Sequence, residues 1–384
     1  IYSCIDNCIC IRIVRPMSAL PTPPSRTRHS RIQRLLRPVV APGVFDFWAS
    51  RVNRTWSWER PLARIVAREQ ASSDSVSLVL APNRHVGGFA PGQHVNVTAE
   101  VDGVRITRSY SLTGLPRADG RLSITVKGIA GGKLSQHLCQ RARVGDVLEI
   151  GPAFGEMQLP KKHEGEYLFL AAGSGITPLM ALTRALAAQG MPVPLTLMYW
   201  ARTRGELCFV DELRALAAAQ PNFRLHLLLT RDTPREADEP MGRISESLLA
   251  SLIDQPSSQH VMACGPGGFV EAARGLLDGH ARSFQAEAFT LPPVEFVDTG
   301  TVQVRLLKRG VTLQLPRGQS LLTALEAEGL RPASGCRMGI CNTCACGKAA
   351  GSTRHLPSGE LVHEPASALK LCINSAVSDL ELDL

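Results

Sequence analysis

Nowhere in the 384 residues do eighteen consecutive apolar residues occur, so no helix of the chain is expected to span a bilayer. No internal repeat is present, which excludes a solenoid and predicts domains that differ in kind. Acidic residues are scarce only at the start. Residues 1–64 hold 11 Lys+Arg against 3 Asp+Glu, an imbalance that accounts for the whole net charge of +8, while the other 320 residues carry 31 charges of each sign. A basic arm with neither a stacking platform nor a basic groove excludes nucleic acid as the expected partner. A signal peptide is missing as well: IYSCIDNCICIRIVRP is interrupted by Asp6, Asn7 and Arg12, and no small-residue cleavage site follows. That segment has neither helical nor strand periodicity, whereas Met17 opens a polar, Pro-rich run, so translation is expected to begin at Met17, without Cys4, Cys8 and Cys10. Eleven cysteines in a chain this long make no disulfide framework, and four stand together at metal-ligand spacing, which fits a reducing, cytoplasmic setting.

What is present divides the chain. The length predicts two or three domains, and 44% hydrophobic with 20% charged residues is the composition of a soluble globular protein. Residues 1–60 form a basic arm and an aromatic helix, in which Phe45, Trp48, Val52 and Trp56 fall on one face. Such a stripe is expected to be buried, either on the following domain or against a partner or membrane interface, with Arg51 and Arg54 on the polar side. Residues 61–160 read as an antiparallel barrel: LARIVARE, SVSLVLA, QHVNVTAEV, RSYSLT, RLSITVKG and DVLEIGP alternate and are divided by Gly, Pro and Asp-Gly turns. One helix, through SQHLCQRA, interrupts them. Residues 161–290 change to strand-then-helix units beginning YLFLAA, PLTLMYWA, FRLHLLLT and HVMACG, the pattern of an α/β parallel sheet covered on both faces. Residues 300–384 open with a hairpin, VQVRLLKRGVTLQL, and a helix, SLLTALEAEG, and form a small α+β domain.

The last domain carries the strongest chemical signal. In SGCRMGICNTCACGK, Cys336-x4-Cys341-x2-Cys344 with Cys372 downstream is the plant-type spacing by which four thiolates hold a 2Fe-2S cluster. Cys346 is then a bystander. Gly335 and Gly339 permit the tight turns that aim backbone N–H groups at sulfur. Structural zinc is the competing reading, but zinc sites favour paired C-x2-C knuckles or Cys/His mixtures, and one such pair occurs here.

Two further regions have phosphate-binding character. LFLAAGSGITP sets Gly173 and Gly175 between an apolar strand and a helix start, where backbone N–H groups and the helix dipole favour an anion. HVMACGPGG brings Cys264, Gly265 and Pro266 to a strand end on the ligand-binding edge of such a sheet; alone, this segment reads as a buried structural cysteine and a plain loop. In the barrel, RSYSLT places Arg108 and Tyr110 on one strand face and Ser111 on the other, and Gly131-Gly132 with Ser135 makes a second turn suited to phosphate.

Taken in order, these motifs resemble the ferredoxin-NADP reductase-type flavoproteins fused to a C-terminal plant-type ferredoxin, over about residues 60–384. The resemblance implies a β-grasp ferredoxin fold. It also implies an FAD, in preference to FMN, held by Arg108 at its phosphate, by Tyr110 on its ring and by Gly131, Gly132 and Ser135, with Ser111 at the reactive ring nitrogen. It implies NADPH or NADH beside Gly173, Gly175, Thr177 and Pro178, with Cys264, Gly265 and Pro266 at the nicotinamide and Ser111 and Cys264 as the catalytic pair. Arg202 and Arg204, with no early acidic residue after the second parallel strand, lean toward NADPH. Met157 departs from the family, whose members often have an aromatic residue there. A hydride carries two electrons and this cluster stores one, so the flavin must divide the pair. The implied protein is an electron-transfer reductase for an external acceptor. The aromatic N-terminal segment is similar to extensions on reductases of membrane fatty-acid desaturases, which adds peripheral contact with the inner face of the membrane as an expectation; the core motifs fit a ring-hydroxylating or CoA-linked oxygenase equally. A metal-binding scaffold would need neither Arg108 nor a complete cysteine quartet.

Overall fold

The computed structural model describes residues 41–253, 256–290 and 298–384. The expected Met17 start, the first three cysteines and most of the connection FTLPPVEFVDTG lie outside them.

Helix α1, Pro42–Val52, precedes the barrel, and here the expectation fails in part. The helix stops at Val52, because Asn53 turns the chain and its side chain accepts from Thr55 N–H at 3.0 Å. The returning segment docks Trp58 edge-on against Phe45 with centroids 5.3 Å apart, and the Asp46 carboxylate accepts from Trp58 N–H at 2.6 Å. Trp58 therefore takes the buried position. Trp48, Val52 and Trp56 stay exposed, and Trp56 lies beyond the helix.

Six strands follow: β1 (Leu62–Ser72), β2 (Ser75–Pro82), β3 (His94–Val101), β4 (Val104–Ser111), β5 (Leu122–Lys127) and β6 (Val147–Ile150). They pair antiparallel in the order β4-β3-β6-β1-β2-β5, and a bridge between Leu112 and Ile124 joins the outer strands. Alternation drives this closure: Val76, Leu78 and Leu80 of β2 and Leu122, Ile124 and Val126 of β5 point into one core. The interrupting helix is short; α2 (Lys133–Gln136) widens into a π turn over His137–Arg141.

The next strands, β7 (Glu166–Ala172), β8 (Leu195–Ala201), β9 (Phe223–Leu229), β10 (Gln259–Gly265) and β11 (Ser283–Ala288), form a wholly parallel sheet in the order β11-β10-β7-β8-β9. Helices α3 (Ile176–Ala187), α4 (Val210–Ala219), α5 (Glu246–Leu252) and α6 (Gly267–Leu277) alternate with them. The strands are buried on both faces, Phe169 and Leu197 in one core and Leu168 and Met198 in the other. The chain departs from β7 to one side and returns to the other with β10. A topological switch point therefore lies between the carboxyl ends of β7 and β10.

In the last domain β12 (Thr301–Leu306), β13 (Val311–Pro316), β14 (Ala345–Ala350), β17 (Ala366–Lys370) and β19 (Leu380–Leu382) form a mixed sheet in the order β13-β12-β19-β14-β17. Helix α7 (Leu321–Ala327) buries Leu321, Leu322 and Leu325 against it, capped by Ser320, whose hydroxyl accepts from Thr323 N–H. β15 (Thr353–His355), β16 (Leu361–Val362) and β18 (Asn374–Ala376) make a smaller sheet.

One buried carboxylate braces the nucleotide domain. Glu239 is 1% exposed, and Arg204 holds it, with Nε 3.0 Å from Oε1; Arg214 adds a second contact at 3.1 Å. Arg204, with the Arg235 N–H, draws the Glu239 pKa down to about 2, so its stabilisation is complete above the ordinary glutamate range and is lost as pH falls toward 2. Glu239→Gln is expected to lower stability near neutral pH by roughly 3 kcal/mol and to flatten the loss between about pH 4.5 and 2, as read by urea unfolding across that range.

Candidate active site

The barrel, the parallel sheet and the cysteine loop meet around one cavity of about 330 Å³. From β4 come Arg108, Tyr110 and Ser111, from the turn before α2 comes Gly132, and from α2 itself Ser135. Ser174 and Thr177 enter from the β7–α3 connection, and Cys336, Met338 and Ile340 from the cysteine loop. Burial pushes the Tyr110 hydroxyl far above its usual value, so it is a neutral donor. Burial and the nearby Arg337 charge pull the Arg108 guanidinium down, which leaves a cation in want of an anion. Ser111 is 4% exposed, and its Oγ has no hydrogen-bond partner. A buried hydroxyl of this kind is costly unless a bound group satisfies it, so the donor set fits a flavin whose phosphate meets Arg108 and whose ring meets Tyr110 and Ser111.

Several lining residues escaped the sequence reading. His94 on β3, the register partner of Ser111, stacks near Phe154 with centroids 5.8 Å apart and meets Phe289 edge-on at 6.1 Å. Its Nε2 lies 3.1 Å from Glu287 Oε2, without hydrogen-bond alignment. Phe154 and Phe289 supply aromatic surface at the cavity, whereas Met157 is buried at 3% in the nucleotide-domain core. Lys127 is another: it and Ser174 line both this cavity and the adjoining cleft, and Lys127 is held by Asp74 at 3.0 Å and Glu206 at 2.9 Å. A sequence signal existed for Phe289 and Glu287 only once β11 is known to lie beside β10.

The adjoining cleft, about 640 Å³, opens at the switch point between Gly173 and Pro266 and extends past Arg202, Thr230 and Arg243. Gly175 sits where backbones touch: a Cβ there would stand 1.9 Å from the Cys264 carbonyl oxygen. Gly265 is similarly crowded, its Cβ position 2.9 Å from that of Ala172. Thr177 Oγ1 donates to Ser174 C=O at 2.9 Å, and Pro178 is buried in the first turn of α3, where a missing N–H costs nothing. Two expected residues stand elsewhere. Arg204 turns to Glu239 and Asp232 and lines neither cavity, because a buried carboxylate outcompetes the solvent-facing cleft for its guanidinium. Cys264 is fully buried beneath the surface, and burial with the Glu287 charge keeps its thiol protonated. Arg202 does line the cleft, paired with Glu206 at 2.9 Å, and Gly131 flanks the turn with φ +74°.

The four expected cluster cysteines gather as two thiol pairs, Cys336 with Cys341 and Cys344 with Cys372. Cys336 Sγ accepts from the N–H groups of Met338, Ile340 and Cys341 at 3.3 Å each, and Cys372 Sγ from Gly339 N–H at 3.3 Å. Gly339 has φ +78°, and a Cβ there would lie 2.4 Å from Ile373 Cδ1. Sharing a proton within each pair draws the Cys341 thiol down to about 5 and the Cys344 thiol down to about 6, while Cys336 and Cys372 rise. Among the described residues no three His, Cys, Asp or Glu converge on a single ion position. Two thiol pairs with sulfurs receiving N–H groups suit two irons, each taking two thiolates. Cys346 joins neither pair; its thiol is pushed up to about 11 by burial in the domain core.

Cys372→Ser is expected to abolish iron binding and Cys346→Ser to leave it intact, as measured by iron per chain. Arg108→Ala is expected to weaken flavin binding roughly ten- to hundredfold, the scale of a lost charged hydrogen bond, as read from flavin retained on dialysis.

The comparisons with known proteins agree with this geometry. Residues 62–159 match the oxidoreductase FAD-binding domain, 169–275 the oxidoreductase NAD-binding domain and 304–372 the 2Fe-2S iron-sulfur cluster binding domain. An NADPH oxidoreductase of Mycobacterium tuberculosis is 29% identical over 95% of this chain and 96% of its own length. The ferredoxin reductase component of 3-ketosteroid-9-alpha-monooxygenase from the same species is 35% identical over 68% of this chain and 75% of its own. In structure, phthalate dioxygenase reductase is similar in fold, with a TM-score of 0.58 over 84% of this chain and 97% of that one at 24% identity. With FAD-, nucleotide- and cluster-binding domains in that order, the chain belongs to the ferredoxin-NADP reductase-type flavoproteins that carry a C-terminal 2Fe-2S ferredoxin domain and is an NAD(P)H-dependent oxidoreductase.

Proposed function

We propose that electrons enter from NADPH at the cleft between Gly173 and Pro266, pass through FAD held by Arg108, Tyr110 and Ser111, and leave through a cluster on Cys336, Cys341, Cys344 and Cys372. The observation that carries this order is the shared cavity wall: Tyr110, Thr177 and Cys336, one residue from each domain, line the same space. When bound, FAD supplies the change from paired to single electrons, which the chain's own groups cannot perform. The residues arrange the approach. Tyr110 covers the ring as a neutral group, Ser111 offers its free hydroxyl to the ring edge, and Lys127, tied to both domains, stands where the two ligands meet. Cys264 acts through packing, since its thiol is buried and protonated. Arg202, with Arg243 across the cleft, offers positive charge to a 2′-phosphate; the name of the NADPH oxidoreductase relative supports the same donor.

The acceptor we propose is a membrane-bound fatty-acid desaturase, reached by peripheral contact from the cytoplasmic side. Supporting this, α1 exposes Val44, Phe47, Trp48 and Val52, with Arg51 over the Phe47 ring at 4.7 Å, next to the basic arm. Aromatic residues with arginines suit the headgroup layer of an anionic bilayer. No helix among the described residues is long and apolar enough to cross a membrane. A second reading, the reductase component of a ring-hydroxylating or CoA-linked oxygenase, is favoured by the steroid monooxygenase reductase among the relatives.

Anaerobic titration with NADPH is expected to bleach flavin and cluster absorption together; a colourless, zinc-containing protein would refute the assignment. Trp48→Ser is expected to reduce binding to phosphatidylglycerol vesicles roughly tenfold or more while ferricyanide reduction is unchanged. Equal flotation of both proteins, or turnover with a ring-hydroxylating or CoA-linked oxygenase and none with a vesicle-embedded desaturase, would favour the second reading.

A further inference from the structure

The barrel and the cluster loop touch at one polar contact that none of the binding roles above uses. Asn96 stands on β3, half-buried, and its Oδ1 accepts from Ser109 Oγ of β4 at 2.5 Å. That bond fixes the amide plane and directs Nδ2 across the seam. There it donates to Thr343 Oγ1, between two of the cluster cysteines, at 3.3 Å. The fit around the amide is tight on both sides. A Cβ on Gly335, the residue before Cys336, would lie 2.9 Å from Asn96 Oδ1 and 3.0 Å from Nδ2. On the other flank a Cβ on Gly151 would lie 3.3 Å from Asn96 Cβ. Neither contact has room for a larger group.

We propose that Asn96 is a positioning residue that seats the cluster loop on the flavin barrel and thereby sets the flavin-to-cluster separation. The inference rests on the reading that FAD feeds the cluster. Gly335 precedes Cys336, and the same loop forms the cavity wall through Cys336, Met338 and Ile340, so any displacement of Gly335 moves Cys336 relative to the cavity that would hold the flavin. In the step this seam serves, one electron leaves the flavin and one arrives at the iron pair; no bond forms or breaks and no proton moves at Asn96. An amide suits the place. It supplies both a donor and an acceptor, and it adds no charge beside sulfurs whose electron affinity would respond to one.

The test is anaerobic stopped-flow mixing of the FAD- and cluster-loaded protein with NADPH, following flavin and cluster bands separately, together with the flavin–cluster distance from dipolar electron paramagnetic resonance in frozen samples. Asn96→Ala is expected to slow cluster reduction roughly two- to tenfold, the scale of one lost hydrogen bond. Asn96→Trp, which wedges the seam against Gly335, is expected to slow it more and to lengthen the measured distance. Flavin bleaching and iron content should match wild type in both. Unchanged cluster reduction and distance in the Trp variant would overturn the proposal, and so would loss of iron or flavin from the Ala variant, which would make Asn96 a residue of assembly. If the wild-type cluster stays oxidised while its flavin bleaches, the flavin-to-cluster reading fails, independently of Asn96.

Discussion

Three domains, each with its own hydrophobic core, meet around one small space, and that convergence organises the rest of the structure. The cores are a barrel interior of mainly Val, Leu and Ile, two apolar layers flanking the parallel sheet, and a compact layer under α7. The residues with chemical character sit on the rims where these cores abut. Close packing is built in beside the cavity: Gly175 lies against the Cys264 backbone and Gly339 against the Ile373 side chain, where a Cβ would hold the elements apart.

The electrostatics follow from the same crowding. Groups facing the cavity are neutral or unsatisfied: a protonated Tyr110, an unpartnered Ser111 hydroxyl and a partly desolvated Arg108. Other charges are paired off, as with Lys127 at the cavity wall between Asp74 and Glu206, and Glu239 between two arginines. The unpartnered Ser111 hydroxyl and the desolvated Arg108 are thus placed where a ligand would meet them.

Much of this was legible in the sequence because the motifs are local. R-x-Y-S fixes three residues by strand alternation, and C-x4-C-x2-C fixes three by loop length, so period and spacing suffice. Long-range competition was not legible. Nothing in MYWARTRGEL says that Glu239, thirty-five residues on, will take Arg204, or that Trp58 will outcompete Trp48 for Phe45. β11 was missed because SFQAEA reads as an indifferent polar stretch, and with it went Glu287 and Phe289. Asn96 carries no motif at all. It matters only because two domains far apart in sequence touch there.

The burial of Cys264 has a further consequence. Reduced flavins that meet dioxygen release peroxide, and peroxide attacks thiolates. A thiol kept protonated, with no exposed surface, beneath a glycine that admits no atom above its carbonyl, is a poor target for that by-product. The Cys264 sulfur is thereby shielded from oxidants that a reduced flavin would release in air.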